Sequence, residues 1–308
     1  MARTQSDLYQ SITDRIVASL EAGVAPWIKP WKNDRSGGSL PHNAITGRCY
    51  HGINTVLLRM QECAKGYGSP QWLTFKQAQE RGGHVRQGEK GTEIIFWKFR
   101  KVTDSETRED RTIPMLRTYY VFNVAQCADL ELPARRNVRA PIDATEIDGL
   151  VARTGAAITH GGDRACYRPS ADVINMPHRA AFRDLDAYHG TLLHELTHWT
   201  GHPSRCARDL SGRFGQAAYA AEELIAEMGS AFLCASLSVP LEGLQHADYI
   251  GSWIKVLKDD NRAIFTAAKA AQVACDYVLQ LMGLQEAPDL DDDDSTAPAE
   301  NPQLPIAA

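Results

Sequence analysis

DLDAYHGTLLHELTHWT, residues 184–200, is the stretch on which the reading of this chain turns. Its apolar residues and the breaker Gly201 just beyond predict one helix. On that helix His194 and His198 stand four apart and share a face, with Glu195 beside the first histidine. Two imidazoles so placed can hold a zinc ion while the glutamate takes a proton from water at the metal. Such a centre needs a third protein ligand and one position left open. The spacing in which the third ligand lies six residues after the second histidine would put it at Ser204, which excludes that class. His202 lies past Gly201, either supporting the site or on the surface.

AAYAAEELIAEMGSAFLCASL, residues 217–237, predicts a second helix that supplies the missing acid. Glu223 and Glu227 are four apart on one face, while Leu224, Met228 and Phe232 dock the helix. One carboxylate can ligate the metal and the other can accept a hydrogen bond from a ligand imidazole, fixing its tautomer. Glu223 is expected as the ligand, Glu227 as the supporting acid, and Glu222 as a solvated surface charge. Two helical histidines can also be a satisfied core pair, but the acidic pair on the next long helix favours a metal. Zn2+ suits this donor set, and Mn2+ or Co2+ could take its place.

If the site hydrolyses an amide, Glu195 is the catalytic proton carrier: it accepts a proton as water attacks the carbonyl and returns it to the leaving amine. Tyr188, His189, Arg213 and Tyr219 are candidates to stabilise the oxyanion. ADVINMP, residues 171–177, is expected to be the cleft-edge strand along which an extended peptide would lie.

The chain has 308 residues, which suggests about two domains, with 44% apolar and 23% charged residues, an ordinary soluble composition. No run approaches the apolar length of a membrane span, so no membrane partner is expected. The first residues lack the apolar core of a signal peptide, which points to the cytoplasm. Seven scattered cysteines without a CxxC pair argue against a disulfide framework or a cysteine-rich zinc module. Charge is uneven: residues 1–136 carry 20 Lys+Arg against 14 Asp+Glu, and residues 137–308 carry 13 against 24. A polyanion would be drawn to the first part.

That first part alternates helix and strand signals. Leu8, Ile12, Ile16 and Leu20 form a helix face, residues 52–63 and 74–81 read as helices, and 91–99 and 116–126 as strands around a polar hairpin excursion. Trp27, Trp31, Tyr50, Trp72 and Trp97 interleave with Lys29, Lys32, Arg48, Lys76, Arg81, Arg86 and Lys90. Rings with phosphate-seeking cations between them are what a single-stranded DNA groove requires. The glycine-rich turn GGHVRQGEKGT, 82–92, lacks the phosphate-loop spacing. The expected fold class is α+β in two domains: residues 1–132 as an α+β single-stranded-DNA-binding domain and 140–285 as a mainly helical metallopeptidase-like domain. The boundary lies in LPARRNVRAP, and residues 286–308 form an acidic tail expected to be disordered.

DLYQSITDRIVASLEAGVAPWIKPWK, NAITGRCYHGIN, WLTFKQAQERGGHVRQGEKGTEIIFWKF and YYVFNVAQC resemble the N-terminal domain of ArdC-type antirestriction proteins and of the related TraC-type plasmid primases. TLLHELTHWTGHPSR, DLSGRFG, YAAEELIAEMGSAFLCA and the stretch from His246 to Tyr277 resemble the same family's zincin-like domain. The resemblance covers nearly all of the chain to about residue 283. It implies a single-stranded-DNA-binding protein that protects incoming plasmid DNA from host restriction enzymes during conjugation. It also implies a gluzincin-type site carried by His194, Glu195, His198 and the Glu223/Glu227 pair. No acidic polymerase constellation is visible, so primase chemistry is not expected. Two other readings remain open: a zinc metallopeptidase recruited to DNA to cleave a host protein, and a DNA-binding protein whose metal is structural. Candidate partners besides DNA are therefore the host restriction machinery or a peptide substrate.

Overall fold

The computed structural model describes residues 5–28, 40–103, 110–133, 142–210, 217–241 and 247–284. The acidic tail, most of the expected linker, and Lys29, Trp31, Lys32 and Arg213 lie outside the described residues.

The N-terminal region is α+β. Helix α1 (Gln5–Glu21) is followed by β1 (His42–Asn43), α2 (Ile53–Lys65), β2 (Gln71–Leu73), α3 (Phe75–Glu80), β3 (His84–Val85), β4 (Thr92–Thr103), β5 (Asp110–Asn123) and β6 (Cys127–Ala128). Thr74 caps α3 through a reciprocal capping box with Gln77. The main sheet has the order β1-β2-β5-β4, with β4 and β5 a long antiparallel hairpin. Both strands run further than the polar tip of the hairpin suggests, reaching Thr103 and starting again at Asp110. Strand β4 is an edge, and α2 closes it. Asn54 donates to the Ile95 carbonyl at 2.7 Å and accepts from the Ile95 N–H at 2.9 Å. A side-chain amide thus imitates a neighbouring strand and satisfies backbone groups that would otherwise be open to pairing.

The C-terminal region is mainly helical. Asp143 caps α4 (Ala144–Arg153). A small sheet follows, β7 (Ala157–His160), β8 (Cys166–Arg168) and β9 (Val173–Met176), in the order β7-β9-β8. Then come α5 (Leu185–Thr200), α6 (Ala217–Leu237), α7 (Ala247–Asp259) and α8 (Ala263–Leu281). The expected cleft-edge strand, ADVINMP, is in fact the middle strand β9, parallel to β7 and antiparallel to β8. Its apolar residues Ile174 and Met176 are fully buried, which suits a central strand. The edges are β7 and β8, and β8 is the one that lines the cleft.

One core runs through both regions. The α1 face predicted from spacing, Leu8, Ile12, Ile16 and Leu20, is buried in the same cluster as α4–α8. Each of these side chains contributes roughly 1.5–3 kcal/mol by leaving water. Polar contacts fix the docking: Thr13 Oγ1 donates to the Asn261 carbonyl at 2.8 Å, and Lys258 pairs with Glu21 at 2.7 Å. Among the described residues no helix is long and apolar enough to cross a membrane.

Candidate metal centre and nucleic-acid surface

Helix α5 begins at Asp184, whose carboxylate accepts the Ala187 N–H at 2.8 Å. It ends at Gly201 because the chain folds back there. A Cβ at that position would stand 2.8 Å from Leu210 Cδ2 and 3.0 Å from Arg208 Nη2. Helix α6 packs against α5 closely enough that a Cβ on Gly229 would meet Thr197 Cγ2 at 2.5 Å. This close approach brings three acids of α6 onto the two histidines of α5.

His194 and His198 lie with ring centroids 4.9 Å apart. Their Nε2 atoms both face Glu223, at 3.6 and 3.7 Å. Their Nδ1 atoms face two other acids: His194 toward Glu227 at 3.7 Å, and His198 toward Glu222 at 3.0 Å. One ligand atom from each of His194, His198 and Glu223 falls within 4.8 Å of the other two. Two ligand atoms each about 2.1 Å from a common centre stand at most about 4.2 Å apart, and the imidazole–carboxylate separations of 3.6 and 3.7 Å fall inside that limit. The 3.6 and 3.7 Å separations are too long for hydrogen bonds, leaving room for a cation between imidazole and carboxylate. Four buried carboxylates, Glu195, Glu222, Glu223 and Glu227, converge here, so the donor set fits a divalent metal.

Electrostatics agree with that reading. Burial pushes Glu223 up, but the two imidazoles facing it, His194 and His198, outweigh that and hold the carboxyl below its usual range. Burial likewise opposes His198, yet Glu222 and Glu223 raise it to about 10. Glu227 is raised, chiefly by burial, as befits an acid with weaker partners.

Glu222 corrects an expectation. It is buried rather than solvated, and besides His198 it receives two hydrogen bonds from Arg208, at 2.9 and 2.8 Å. Arg208 also donates to the Thr197 carbonyl and to Thr200 Oγ1, tying off the end of α5. Sequence spacing put Glu222 off the Glu223/Glu227 face, but its long side chain reaches round to the imidazole one turn away. Nothing in the sequence pattern singles out Arg208.

Glu195 is held by a backbone group: its Oε2 accepts the Tyr167 N–H of β8 at 2.7 Å. Tyr167 is itself braced, its hydroxyl donating to Asp172 at 2.8 Å, while Arg205 donates to Asp172 and stacks on Trp199 at 3.9 Å. The cleft over the histidines holds about 280 Å³ and is walled by β8, by Asp209 and Leu210, and by Tyr219 and Tyr249. Of the suggested oxyanion donors among the described residues, Tyr219 lines it. Tyr188 is buried against His160, with its hydroxyl 2.9 Å from Nε2, and His189 turns to Asp148 at 3.1 Å. His202 pairs with Ser204 and is not part of the wall.

The expected DNA-contacting set divides. Trp27 and Trp72 are core residues: Trp27 packs edge-on against Trp253, and Trp72 donates its indole N–H to buried Glu62 at 3.0 Å. Neither ring has a free face on which a base could stack, so both are removed from the candidate surface. Tyr50 is half-buried in the cluster around Trp72, and burial pushes its hydroxyl up to about 12. Arg48, Lys76, Arg81, Arg86 and Lys90 are exposed, although Arg86 spends its guanidinium on the Ala125 and Cys127 carbonyls. Trp97 is 44% exposed. Tyr120, which sequence reading passed over, is 47% exposed; strand alternation alone did not tell which face of β5 is covered.

Residues 6–122 match the family described as the N-terminal domain of anti-restriction factor ArdC, and residues 145–270 match a zincin-like metallopeptidase family. An Escherichia coli DNA primase TraC is 40% identical over 298 residues, covering 91% of this chain and 28% of that protein. The chain thus spans little more than a quarter of that relative. The uncharacterized protein y4eC of Sinorhizobium fredii is 41% identical over 285 residues, 90% of this chain and 92% of that protein. A metal-free crystal structure of the antirestriction protein ArdC from plasmid R388 superposes with a TM-score of 0.79 at 41% identity, covering 91% of this chain and all of the other. The Mn(II)-bound structure of that protein gives 0.74 at 43% identity, covering 90% of this chain and 98% of the other. The two histidines and the carboxylate therefore sit in a fold that accepts a divalent ion, and the chain belongs to the ArdC family of antirestriction proteins.

Proposed function

We propose that this protein binds single-stranded DNA through its N-terminal region and protects incoming plasmid DNA from restriction enzymes in the cytoplasm of the receiving cell. We further propose that its C-terminal metal centre is hydrolytic in design, of the metallopeptidase type. The observation that carries the hydrolytic reading is Glu195: a buried carboxylate on the cleft wall, outside the ligand set, with one oxygen anchored and the other free. A purely structural metal has no use for it.

His194, His198 and Glu223 would hold the ion, whether Zn2+, Mn2+ or Co2+. When bound, the metal supplies Lewis acidity at the floor of the cleft. The chain's own groups do the rest. Glu222 and Arg208 fix the His198 ring, leaving Nε2 directed inward. Glu227 does the same, more loosely, for His194. Glu195 accepts a proton at Oε1 and returns it to the leaving group, while the Tyr167 N–H holds Oε2 in place. Tyr219 offers a hydroxyl on the opposite wall as donor to a developing oxyanion.

The test is protection of transferred plasmid DNA from a restriction host by wild type and by Glu195→Gln, with metal content measured on both. Retained metal and lost protection support a hydrolytic role in antirestriction. Retained metal with full protection would overturn that role and leave DNA binding as the working activity.

A further inference from the structure

We propose that the bound single strand passes over Tyr120 and Trp97, the two exposed rings of the β4–β5 hairpin, and continues onto the C-terminal helical region at Arg262, so that both halves of the chain hold one stretch of DNA. This rests on the single-strand binding proposed above and adds its path.

Among the described residues, the large apolar side chains left exposed include only two aromatic rings, Trp97 and Tyr120. They are on the same face of the hairpin. The register pairs Trp97 with Leu116 and Glu93 with Tyr120, and paired side chains lie on one face, as does every second residue along a strand. Four residues of β4 separate the two pairs, about 13 Å. Between them lie half-buried Thr118 on β5 and, opposite it, Ile95 of β4, which the core covers, so little exposed apolar surface joins the rings.

Cations flank both rings. Exposed Lys90 adjoins Tyr120 through Gly91, where a Cβ would come within 3.0 Å of Tyr120 Cβ. At the other end Trp97 leans on the buried Tyr9 ring at 6.2 Å, and the Arg262 guanidinium lies 5.1 Å from the centroid of that same ring. Arg262 is exposed just before α8, and exposed Lys269 continues its stripe two turns further along that helix. Tyr9 also packs edge-on against Phe265 at 4.7 Å, so the sheet and α8 form one continuous surface here. Two acids lie beside these groups: Glu93 is within 3.9 Å of Arg15, and exposed Asp260 accepts the Arg262 backbone N–H at 2.8 Å. Lys90, Tyr120, Trp97 and Arg262 thus form a row of cation, ring, ring, cation. That row is complementary to unstacked bases and the phosphates beside them. An aliphatic protein partner would find little to bury between the rings, and a duplex would have no base faces to offer.

The test uses the full chain and a fluorescent oligo-dT strand, read by anisotropy across a salt series. Tyr120→Ala and Trp97→Ala should each weaken binding roughly 5- to 100-fold. Arg262→Ala should flatten the log-affinity against log-salt slope by about 0.7, the value expected when one fewer phosphate of a single strand is neutralised. Trp72→Phe, a core control, should lower the melting temperature without moving affinity. Because Trp97 also packs on Tyr9, a measurement without substitution accompanies these: a strand carrying 5-iodouracil should photocross-link to Trp97 or Tyr120 in the wild-type protein. Wild type that binds normally, with variants unchanged and cross-links elsewhere, overturns the path but not single-strand binding. Ring effects with an unchanged slope in Arg262→Ala overturn the extension onto the helical region. Failure of the wild type to bind even at low salt overturns both proposals.

Discussion

Removing the Arg208 side chain should destabilise the fold and weaken the metal centre together. Arg208 is 10% exposed and Glu222 is 9% exposed, and Arg208 donates to the Thr197 carbonyl, to Thr200 Oγ1 and to both oxygens of Glu222. In Arg208→Met the methionine fills much of the volume but donates nothing. A buried carboxylate is left with one partner, His198, while the Thr197 carbonyl keeps only the Thr200 hydroxyl, at 2.6 Å. Breaking a buried pair in this way costs about 3–5 kcal/mol. Glu222→Gln in the same background removes the stranded charge and should recover a large part of that loss, because the cost lies in the unpaired charge more than in the missing bond. Affinity for the metal should also fall, about 10- to 100-fold, since Glu222 without its arginine no longer fixes the His198 ring. Denaturant unfolding of metal-free protein at equal slope, together with competition against a chelator, reads both quantities. A loss under about 1 kcal/mol in Arg208→Met, or no recovery in the double variant, would show that Arg208 is merely an adjacent surface residue.

Three further outcomes are expected. Glu223→Ala should abolish metal binding, while Glu227→Ala should lower affinity by about 10- to 100-fold, as for a lost partner of a ligand; equal chelator titrations for wild type and both variants would move the ligand elsewhere. Gly229→Ala should destabilise the protein by about 1–3 kcal/mol through the clash with Thr197, and Thr197→Ser, which deletes the obstructing methyl, should relieve most of it in thermal melts. Asp172 is held below its ordinary range first by hydrogen bonding to Arg205 and also by Tyr167. Its contribution is therefore complete above the unfolded carboxylate value near about 3.9 and is lost as pH falls through the lower folded value. Asp172→Asn should flatten that acid limb in melts of metal-free protein, and an unchanged limb would refute the assignment.

The metal centre was legible because its spacing is local. His194, Glu195 and His198 occupy successive turns of one helix, and Glu223 with Glu227 repeats the interval on the next, so sequence alone brought out the right faces. Arg208, Tyr167 and Tyr249 were not legible, because each reaches the site from a loop or another element by tertiary packing. Glu222 failed for a related reason: its angular position on α6 pointed away, and only the fold-back of residues 202–210 made that side an interior. The tryptophans show the opposite limit. An indole is equally at home in a core and on a binding face, and Trp27 and Trp72 differ from Trp97 only in what lies over them. The helices and the long strands β4 and β5 came out close to their predicted places, but the short strands β1, β2, β3, β6 and β7 were missed and β9 was taken for an edge. Three- and four-residue strands carry too few alternations to reveal which is central.

The docking of α1 onto the far end of the chain sets an order of events in the cell. Its hydrogen bonds with Asn261 and Lys258 span 248 and 237 residues of sequence. At about 5–20 residues per second of synthesis, α1 waits roughly 12–50 s for the surface that covers it. Throughout that interval Leu8, Ile12, Ile16 and Leu20 present a bare apolar stripe, the kind of surface that holding chaperones bind. Nascent chains stalled before residue 257 should therefore be retained by such chaperones, and chains completed through α8 should be released.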